Sequence, residues 1–313
     1  MIPVIVDTDP GVDDAFAIAL AVASPELDLR AVTTSFGNVS LSTATTNALR
    51  LLALFGREDV TVAAGADRPL VYPHPRRASH VHGTDGLSGR ASALPSPRRS
   101  TDASDAVTVM ARVLRDSASP VTIIAIGPLT NVATLLAAHP DVAANIGRLI
   151  VLGGGVGMGN VTAAAEFNIW SDPEAARRVL VEQRLNTILV PINLTHKCAV
   201  DDTWIDRLES AGAIGKTLAE IASPYRAWQR TRQGADGLVL HDAVAVAEAV
   251  QPGVLITTAY QLDVDCSQAD GRGALITDGH LGDDPAVRTV DIAMDTDVAT
   301  LTTFMLDRLM SLR

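Results

Sequence analysis

Short runs of β-branched and aliphatic residues alternate along the chain with longer stretches whose apolar residues recur at helical spacing. The short runs predict strands at Ile2 to Val6, Leu29 to Thr34, Val60 to Ala63, Val121 to Ile126, Leu149 to Leu152 and Thr187 to Val190. The longer stretches predict helices at Asp13 to Ala23, Ser40 to Phe55, Ala103 to Asp116, Thr130 to Ala138 and Pro173 to Glu182. This alternation is typical of an α/β fold with a doubly wound, mostly parallel sheet and helices on both faces.

The last third of the chain predicts a different arrangement. The runs at Val254 to Thr258, Tyr260 to Val264 and Gly273 to Thr277 indicate a hairpin-rich extension before a final helix near Val298 to Leu312. Two long stretches lack periodicity: Asp67 to Thr101 is rich in proline, and Gly153 to Ser171 is dense in glycine. Loops of this length are usually functional or disordered. No repeat or linker divides the chain, so residues 1–313 are expected to form a single domain.

Composition narrows the class of protein. A chain of 313 residues with 47% apolar residues can bury a sizeable core. Its formal net charge of −11 argues against nucleic acid or an anionic membrane as a partner, and 4% aromatic residues give no base-stacking platform. Two cysteines, no visible leader and no apolar run of about 18–20 residues favour a soluble protein of the reducing cytoplasm. A small-molecule enzyme is the leading class.

The most informative segment is VIVDTDPGVDDAF, Val4 to Phe16, in which Asp7, Asp9, Asp13 and Asp14 surround a Pro-Gly turn. The turn follows the first strand, where open α/β sheets bind ligands. A helix N-terminus stabilises a nearby carboxylate by only about 0.3–1 kcal/mol, too little for four. A bound divalent cation is the stronger explanation, and oxygen ligands select Ca²⁺ or Mg²⁺ over Zn²⁺.

Other interpretations of this segment stay open. Two of the aspartates can cap the helix while the other two lie solvated in a loop. An Asp-x-Asp pair after a first strand is also how haloacid-dehalogenase-type phosphatases place an aspartyl nucleophile, although those enzymes need a supporting lysine. The chain has only Lys197 and Lys216, and neither lies in an obvious phosphate-binding loop.

Further polar groups follow other predicted strands. Asn38 follows the second strand, and Ile126 offers a carbonyl oxygen where the fourth strand turns into a helix. The glycine-rich stretch at 153–168 does not match G-x-G-x-x-G, so its glycines are expected to let the backbone approach a ligand. A pair formed by His241 and Asp242 begins the helix that runs to Val250. By itself such a pair is weak support for function.

Taken together, these residues resemble the inosine-uridine preferring nucleoside hydrolase family over most of the chain. The family signature DTDPGVDDA occupies 7–15 and is highly specific. It is followed in order by Gly37-Asn38, GPLTN at 127–131, GGG at 153–155, Asn160, AEFN at 165–168, DPEAA at 172–176 and His241-Asp242.

The resemblance implies hydrolysis of the N-glycosidic bond of ribonucleosides to ribose and free base, with a tightly held Ca²⁺. It implies calcium ligation by Asp9, Asp14, Asp242 and the carbonyl of Ile126, and Asp9 as general base for the attacking water. Asn38 is expected near that water. The ribose hydroxyls are expected to contact Asp13, Asn160, Glu166, Asn168 and Asp242.

The base pocket is expected to involve the first long loop and the helix before His241. His241 is the best candidate acid for the departing base, and His82 is a second base contact. Tyr225 and Gln229 are expected to line the pocket as well, while Trp228 is interpreted as a helix-packing residue. This set resembles the pyrimidine-preferring or broad inosine-uridine groups. A homodimer or homotetramer is expected, with no nucleic-acid or membrane partner. A non-catalytic ribose- or nucleoside-binding protein that kept the calcium site is the alternative from another class.

Overall fold

The strands form one sheet in the computed structural model, which describes residues 1–72, 77–233, 237–278 and 289–312. Within this part of the chain the sheet has nine strands in the order β3-β2-β1-β4-β5-β6-β9-β7-β8. Their bounds are β1 Ile2–Thr8, β2 Leu27–Thr34, β3 Thr61–Ala64, β4 Val121–Ala125, β5 Ile146–Leu152, β6 Thr187–Val190, β7 Leu255–Val264, β8 Leu275–Asp278 and β9 Val290–Thr296. The pairings from β3 to β9 are parallel, whereas β7 pairs antiparallel with both β8 and β9.

Helices connect most of these strands. Their bounds are α1 Val12–Ala23, α2 Leu41–Leu54, α3 Ser79–His82, α4 Ala106–Asp116, α5 Thr130–Ala138, α6 Phe167–Ser171, α7 Pro173–Leu180, α8 Ile192–Thr195, α9 Asp202–Ser210, α10 Ala213–Gln233, α11 His241–Val250 and α12 Val298–Leu309. Several begin with side-chain caps of the kind that satisfy free backbone N–H groups, as when Asp105 accepts from Thr108 N and Asp297 from Thr300 N. None of the helices in the described ranges is long and apolar enough to cross a membrane.

The sheet is buried on both faces because its side chains alternate between two cores. Val4 and Val6 of β1 pack in one core with α1, α2, α10, α11 and α12, whereas Ile5 packs in the other with α4, α5 and α7. Successive residues of a strand point to opposite faces, so a strand buried on both faces is apolar throughout. This confirms the predicted doubly wound arrangement.

The order in which strands are added to the sheet reverses at β1. β2 and β3 lie on one side of it, and β4, β5 and β6 lie on the other. A crevice forms at the carboxyl ends of strands where the strand order reverses. The turn after β1, the Gly37-Asn38 segment after β2 and Ile126 after β4 therefore meet at one edge of the sheet.

The C-terminal strands differ most from the prediction. The runs at Val254 to Thr258 and Tyr260 to Val264 were predicted as two strands but form the single strand β7, which bends at an irregularity between Ile256 and Thr257. The predicted hairpin is confirmed by the pairing of β7 with β8. β9 was not predicted, because its alternation in Val-Asp-Ile-Ala-Met-Asp-Thr is interrupted by acidic residues.

The two stretches without periodicity contain short helices. α3 and a 3₁₀ turn at Ala91–Ala93 lie in the first, and α6 lies in the second. Two prolines of the first stretch, Pro73 and Pro75, lie outside the described residues.

Candidate active site

The acidic turn is held in place by hydrogen bonds from its own backbone and from neighbouring loops. Asp14, in the first turn of α1, accepts from the Gly11 backbone N at 2.8 Å and from the Thr8 hydroxyl. The Nδ2 of Asn38 donates to the same carboxylate at 3.2 Å, which ties the loop after β2 to the start of α1. Asn47 donates to the Pro10 carbonyl at 3.1 Å. These contacts fix the direction in which the turn presents its carboxylates.

Asp9 is enclosed between two glycines. Its Oδ2 accepts from the backbone N of Asn38 at 2.6 Å, while its Oδ1 is buried without a hydrogen-bond partner in the described structure. A Cβ atom at Gly37 would lie 1.9 Å from Asp9 Oδ2, and one at Gly127 would lie 2.6 Å from Asp9 Oδ1. The glycines after β2 and β4 are therefore required because the carboxylate packs directly against their backbones.

Three buried carboxylates converge beside Asp9. Oxygen atoms of Asp13, Asp14 and Asp242 lie within 4.8 Å of one another, and Asp13 Oδ1 has no hydrogen-bond partner in the described structure. Of the predicted metal ligands, the structure thus brings Asp14 and Asp242 together, with Asp13 as the third member of the close group. Asp9 stands next to this group, and like charge from both Asp14 and Asp13 acts on it.

Burial and mutual repulsion disfavour ionisation of these carboxyl groups. Burial, followed by the charge of Asp14, raises the pKa of Asp9 and Asp13 well above the usual range. Burial, followed by the charges of Asp13 and Asp14, does the same to the pKa of Asp242. Positive charge is needed to keep all of them ionised at neutral pH. An all-oxygen set with two unpartnered buried oxygens fits a hard divalent cation.

Asp7 stabilises the turn through hydrogen bonds to β2 and α5. Its Oδ1 accepts from the Thr33 hydroxyl at 2.6 Å and from Asn131 Nδ2 at 2.8 Å, and Asn131 also donates to the Thr34 carbonyl. Burial raises the pKa of Asp7 to about 7, against the lowering effect of these two hydrogen bonds. Asp7 thus links β1, β2 and α5 without reaching the cavity.

The glycine-rich loop after β5 brings a second group of polar side chains to the same edge. Glu166 caps α6, and its carboxylate accepts from the backbone N of Gly154 at 2.7 Å and of Asn168 at 2.9 Å. Asn168 Nδ2 donates to the Ile126 carbonyl at 2.9 Å. Asn160 Oδ1 accepts from Phe167 N. One cavity is lined by Asn160, Glu166 and Asn168 together with Asp13 and Asp242, so the predicted ribose contacts are brought together; Asn38 and Ile126 line it as well.

Aromatic side chains from α3 and α10 line the same cavity. The rings of His82 and Tyr225 stack with centroids 5.1 Å apart, and Tyr225 lies parallel to Trp228 at 6.5 Å. His80 meets the edge of Trp228. Trp228 was interpreted as a packing residue, but it packs against the core and also lines the cavity. His80 was not singled out, because nothing in its local sequence distinguishes it from a surface histidine.

His82 and His241 are both neutral at pH 7. Burial, with smaller effects from other histidines, lowers the pKa of each to about 3. His82 Nδ1 accepts from the backbone N of Val12 at 3.2 Å, so its proton lies on Nε2. His241 Nδ1 lies 2.6 Å from the hydroxyl of Thr195, at the end of α8. Thr195 was not predicted, since a threonine at the end of a short helix carries no distinguishing signal.

Gln229 lies outside the cavity lining, although the sequence predicted a base contact. Its side chain is fully buried. Its amide accepts from Val239 N at 2.9 Å and donates to Val239 O at 3.2 Å, and it also hydrogen-bonds the Tyr225 side chain. In this position Gln229 joins α10 to the segment that leads into His241 and Asp242.

The cavity offers about 130 Å³ to the centres of water-sized molecules and opens to solvent at its mouth. Apolar side chains that the sequence did not single out complete its lining, namely those of Val81, Leu152, Val161, Phe167 and Ile192. Neither lysine lines it, and Lys197 donates to the Met294 carbonyl and pairs with Asp295 elsewhere. The lysine that an aspartyl phosphatase needs is therefore missing from the described lining.

Comparison with known proteins agrees with this geometry. Residues 4–303 match the family model described as inosine-uridine preferring nucleoside hydrolase. The chain is 39% identical over 282 residues to the pyrimidine-specific ribonucleoside hydrolase RihA of Salmonella paratyphi A, which covers 88% of each chain. The protein of the same name from Klebsiella pneumoniae is 39% identical over 279 residues, with 88% of each chain covered.

Solved structures show the same fold. A plant nucleoside hydrolase superposes with a TM-score of 0.91 at 34% identity, covering 98% of both chains. The purine-preferring ribonucleoside hydrolase from Gardnerella vaginalis gives a TM-score of 0.92 at 28% identity, covering 99% of this chain and 98% of that one. The chain belongs to the inosine-uridine preferring nucleoside hydrolase family and is a ribonucleoside N-glycosyl hydrolase.

Proposed function

We propose that this hydrolase requires Ca²⁺ and prefers pyrimidine ribonucleosides, uridine and cytidine, over purine ribonucleosides. The observation that carries the calcium requirement is the pair of buried, unpartnered oxygens, Oδ1 of Asp9 and Oδ1 of Asp13, beside two further carboxylates. Unpartnered buried acceptors are costly, so a cation at this point offsets their burial. Asp9, Asp14, Asp242 and the Ile126 carbonyl would hold it. A divalent cation there supplies positive charge that offsets the carboxylates and lowers the pKa of water.

The remaining steps belong to the side chains themselves. Asp9 takes the proton of the attacking water, and its carboxylate is oriented for this by the Asn38 backbone N. Asp13, Asn160, Glu166 and Asn168 contact the ribose hydroxyls. As the ribosyl C–N bond breaks, positive charge develops on the sugar, and the surrounding carboxylates stabilise it.

The departing base requires hydrogen bonding or a proton. His241 and His82 are neutral, and each carries a nitrogen that can donate into the cavity. We therefore assign His241 the role of donor to the leaving base, with His82 as a second donor. The preference for pyrimidines is supported by this pair and by the name of the relatives that are 39% identical.

The test is a panel of uridine, cytidine, inosine, adenosine and guanosine, with kcat/KM measured from release of reducing sugar. We expect the pyrimidine nucleosides to give the highest values. Activity should disappear after chelation and return with Ca²⁺. Asp9→Asn should abolish turnover, whereas Asp59→Asn, a matched change at a carboxylate that is 62% exposed, should leave it unaltered.

A different experimental result would contradict each part of the proposal. Equal rates for inosine and uridine would support the broad inosine-uridine preference instead. Recovery with Mg²⁺ but not Ca²⁺ would refute the metal assignment. Thermal stabilisation by nucleosides without product release would favour a binding protein. Assembly as a homodimer or homotetramer and a cytoplasmic location stay predictions of the sequence.

A further inference from the structure

The side chain of Thr195 is placed to control the orientation of His241. It is fully buried, and its hydroxyl lies 2.6 Å from His241 Nδ1. A second possible partner of this hydroxyl, the Ile192 carbonyl, is farther away at 3.4 Å and already accepts the backbone N–H of His196. With its one proton directed along the shorter contact, the hydroxyl donates to Nδ1; directed to the Ile192 carbonyl instead, it would accept from Nδ1–H. The first arrangement is the one proposed below.

This direction of the hydrogen bond fixes the tautomer of the ring. A neutral imidazole whose Nδ1 accepts a hydrogen bond carries its proton on Nε2. His241 lines the cavity, and Nε2 makes no hydrogen bond to any residue in the described ranges. The Nε2–H group is thus left to the substrate.

The same arrangement occurs at His82 by a different means. There the backbone N of Val12 donates to Nδ1 at 3.2 Å, and because a backbone N–H group can only donate, the direction of this hydrogen bond is fixed. A threonine hydroxyl rotates, so at His241 the tautomer depends on the identity of one side chain. Position 195 is therefore the one that substitution can probe without altering the main chain.

We propose that Thr195 is a positioning residue for the hydrolase, whose hydroxyl holds His241 as the tautomer that presents Nε2–H to the leaving nucleobase. The proposal rests on the function proposed above for His241. It assigns Thr195 no contact with substrate. Its effect passes entirely through the imidazole ring.

The first experiment compares Thr195→Val, which keeps the shape but removes the hydroxyl, with Thr195→Ser, which keeps the hydroxyl. With uridine, Thr195→Val should lower kcat by about tenfold at little change in KM, which corresponds to about 1.4 kcal/mol, the order of one lost hydrogen bond. Thr195→Ser should restore most of the rate. Thr134→Val removes a hydroxyl that hydrogen-bonds the Thr130 carbonyl in α5 and serves as the matched control.

Two further kinetic measurements separate positioning from a general structural effect. Turnover of p-nitrophenyl riboside, whose leaving group needs no proton, should be unaffected by Thr195→Val. In a His241→Ala background, Thr195→Val should add no further loss, because the ring through which it acts is gone. Equal losses on both substrates, or losses that multiply in the double variant, would overturn the proposal.

The tautomer can be read without turnover. In ¹⁵N-histidine-labelled protein, the resonances missing from His241→Ala identify the ring, and in the wild type Nε2 should be protonated and Nδ1 unprotonated. Thr195→Val should alter this pattern and Thr195→Ser should preserve it. A proton on Nδ1 in the wild type would refute the inference even with full nucleoside hydrolysis, whereas the expected pattern in a protein that hydrolyses no nucleoside would count against the proposed function alone.

Discussion

Replacing Gly37 by alanine tests whether catalysis depends on the contact between the Asp9 carboxylate and the backbone after β2. The added Cβ would lie 1.9 Å from Asp9 Oδ2 and 2.6 Å from its Cγ. The backbone of Gly37 is nearly extended, so the contact with Asp9 rather than the φ angle is what excludes a side chain. The substitution therefore acts directly on the group proposed as the general base.

The size of the displacement follows from these distances. Cβ atoms are essentially never found closer than 3.0 Å to such a neighbour, so the carboxylate and the new methyl group have to separate by roughly 1 Å or more. The same oxygen accepts the Asn38 N–H at 2.6 Å, and the shift breaks or lengthens that bond. A misplacement of about 1 Å at a reacting group can cost about 100-fold in rate. We expect kcat/KM for uridine to fall by that factor.

The assay compares Gly37→Ala with Gly56→Ala. Gly56 follows α2 with a φ of 69°, and a Cβ there meets nothing within 4 Å. This control introduces backbone strain of about 1 kcal/mol and lowers the melting temperature without touching the site. Loss of activity in both variants, or full activity in Gly37→Ala, would refute the reasoning that Asp9 is held by its glycine neighbours.

Two further substitutions test buried groups behind the site. The raised pKa of Asp7, about 7, means that chelated protein loses folding stability as pH rises from about 4 through about 7. Between pH 5 and pH 8 this loss amounts to roughly 3 kcal/mol, which Asp7→Asn should remove in urea unfolding; an unaltered dependence would contradict the assignment. Gln229→Leu leaves both backbone groups of Val239 unpaired, so it should destabilise the fold by about 2–4 kcal/mol and lower kcat for every nucleoside alike. A selective change in the uridine-to-inosine ratio would instead indicate that Gln229 contacts the base.

The sequence predicted best where one local signal determined the structure. β1 and the helix at Thr130 to Ala138 were predicted at or near their observed bounds, since a continuous apolar run or an uninterrupted helical period left little choice. β9 was missed because Asp291 and Asp295 interrupt its apolar pattern, and its place between β6 and β7 is set by tertiary pairing. The seven residues of β9 do not by themselves determine which strands it pairs with.

The site residues show the same difference between local signals and contacts that depend on the tertiary fold. The carboxylates after β1 could be found from their crowding, and the residues after β2 and β4 from the convergence of parallel strands. The sequence predicted a base contact for Gln229 because it lies close to Tyr225 in the chain. The orientation of its side chain depends on the hydrogen bond to Val239 across a turn, which the sequence does not show. Thr195 has significance only through its distance from His241, 46 residues away in the chain.

The acidic residues near the turn differ in how their carboxylate oxygens are hydrogen-bonded. Both oxygens of Asp14 accept from protein groups, so Asp14 fixes the turn relative to the loop after β2. Asp7, Asp9 and Asp13 each leave one buried oxygen without a hydrogen-bond partner in the described structure, and like charge from Asp14 acts on Asp9 and Asp13. Like charge crowded around the free oxygens of Asp9 and Asp13, rather than the lack of a hydrogen-bond partner alone, is what a bound cation would offset. The unpaired oxygens of Asp9 and Asp13, more than the net charge of −11, therefore distinguish this edge of the sheet as a catalytic site.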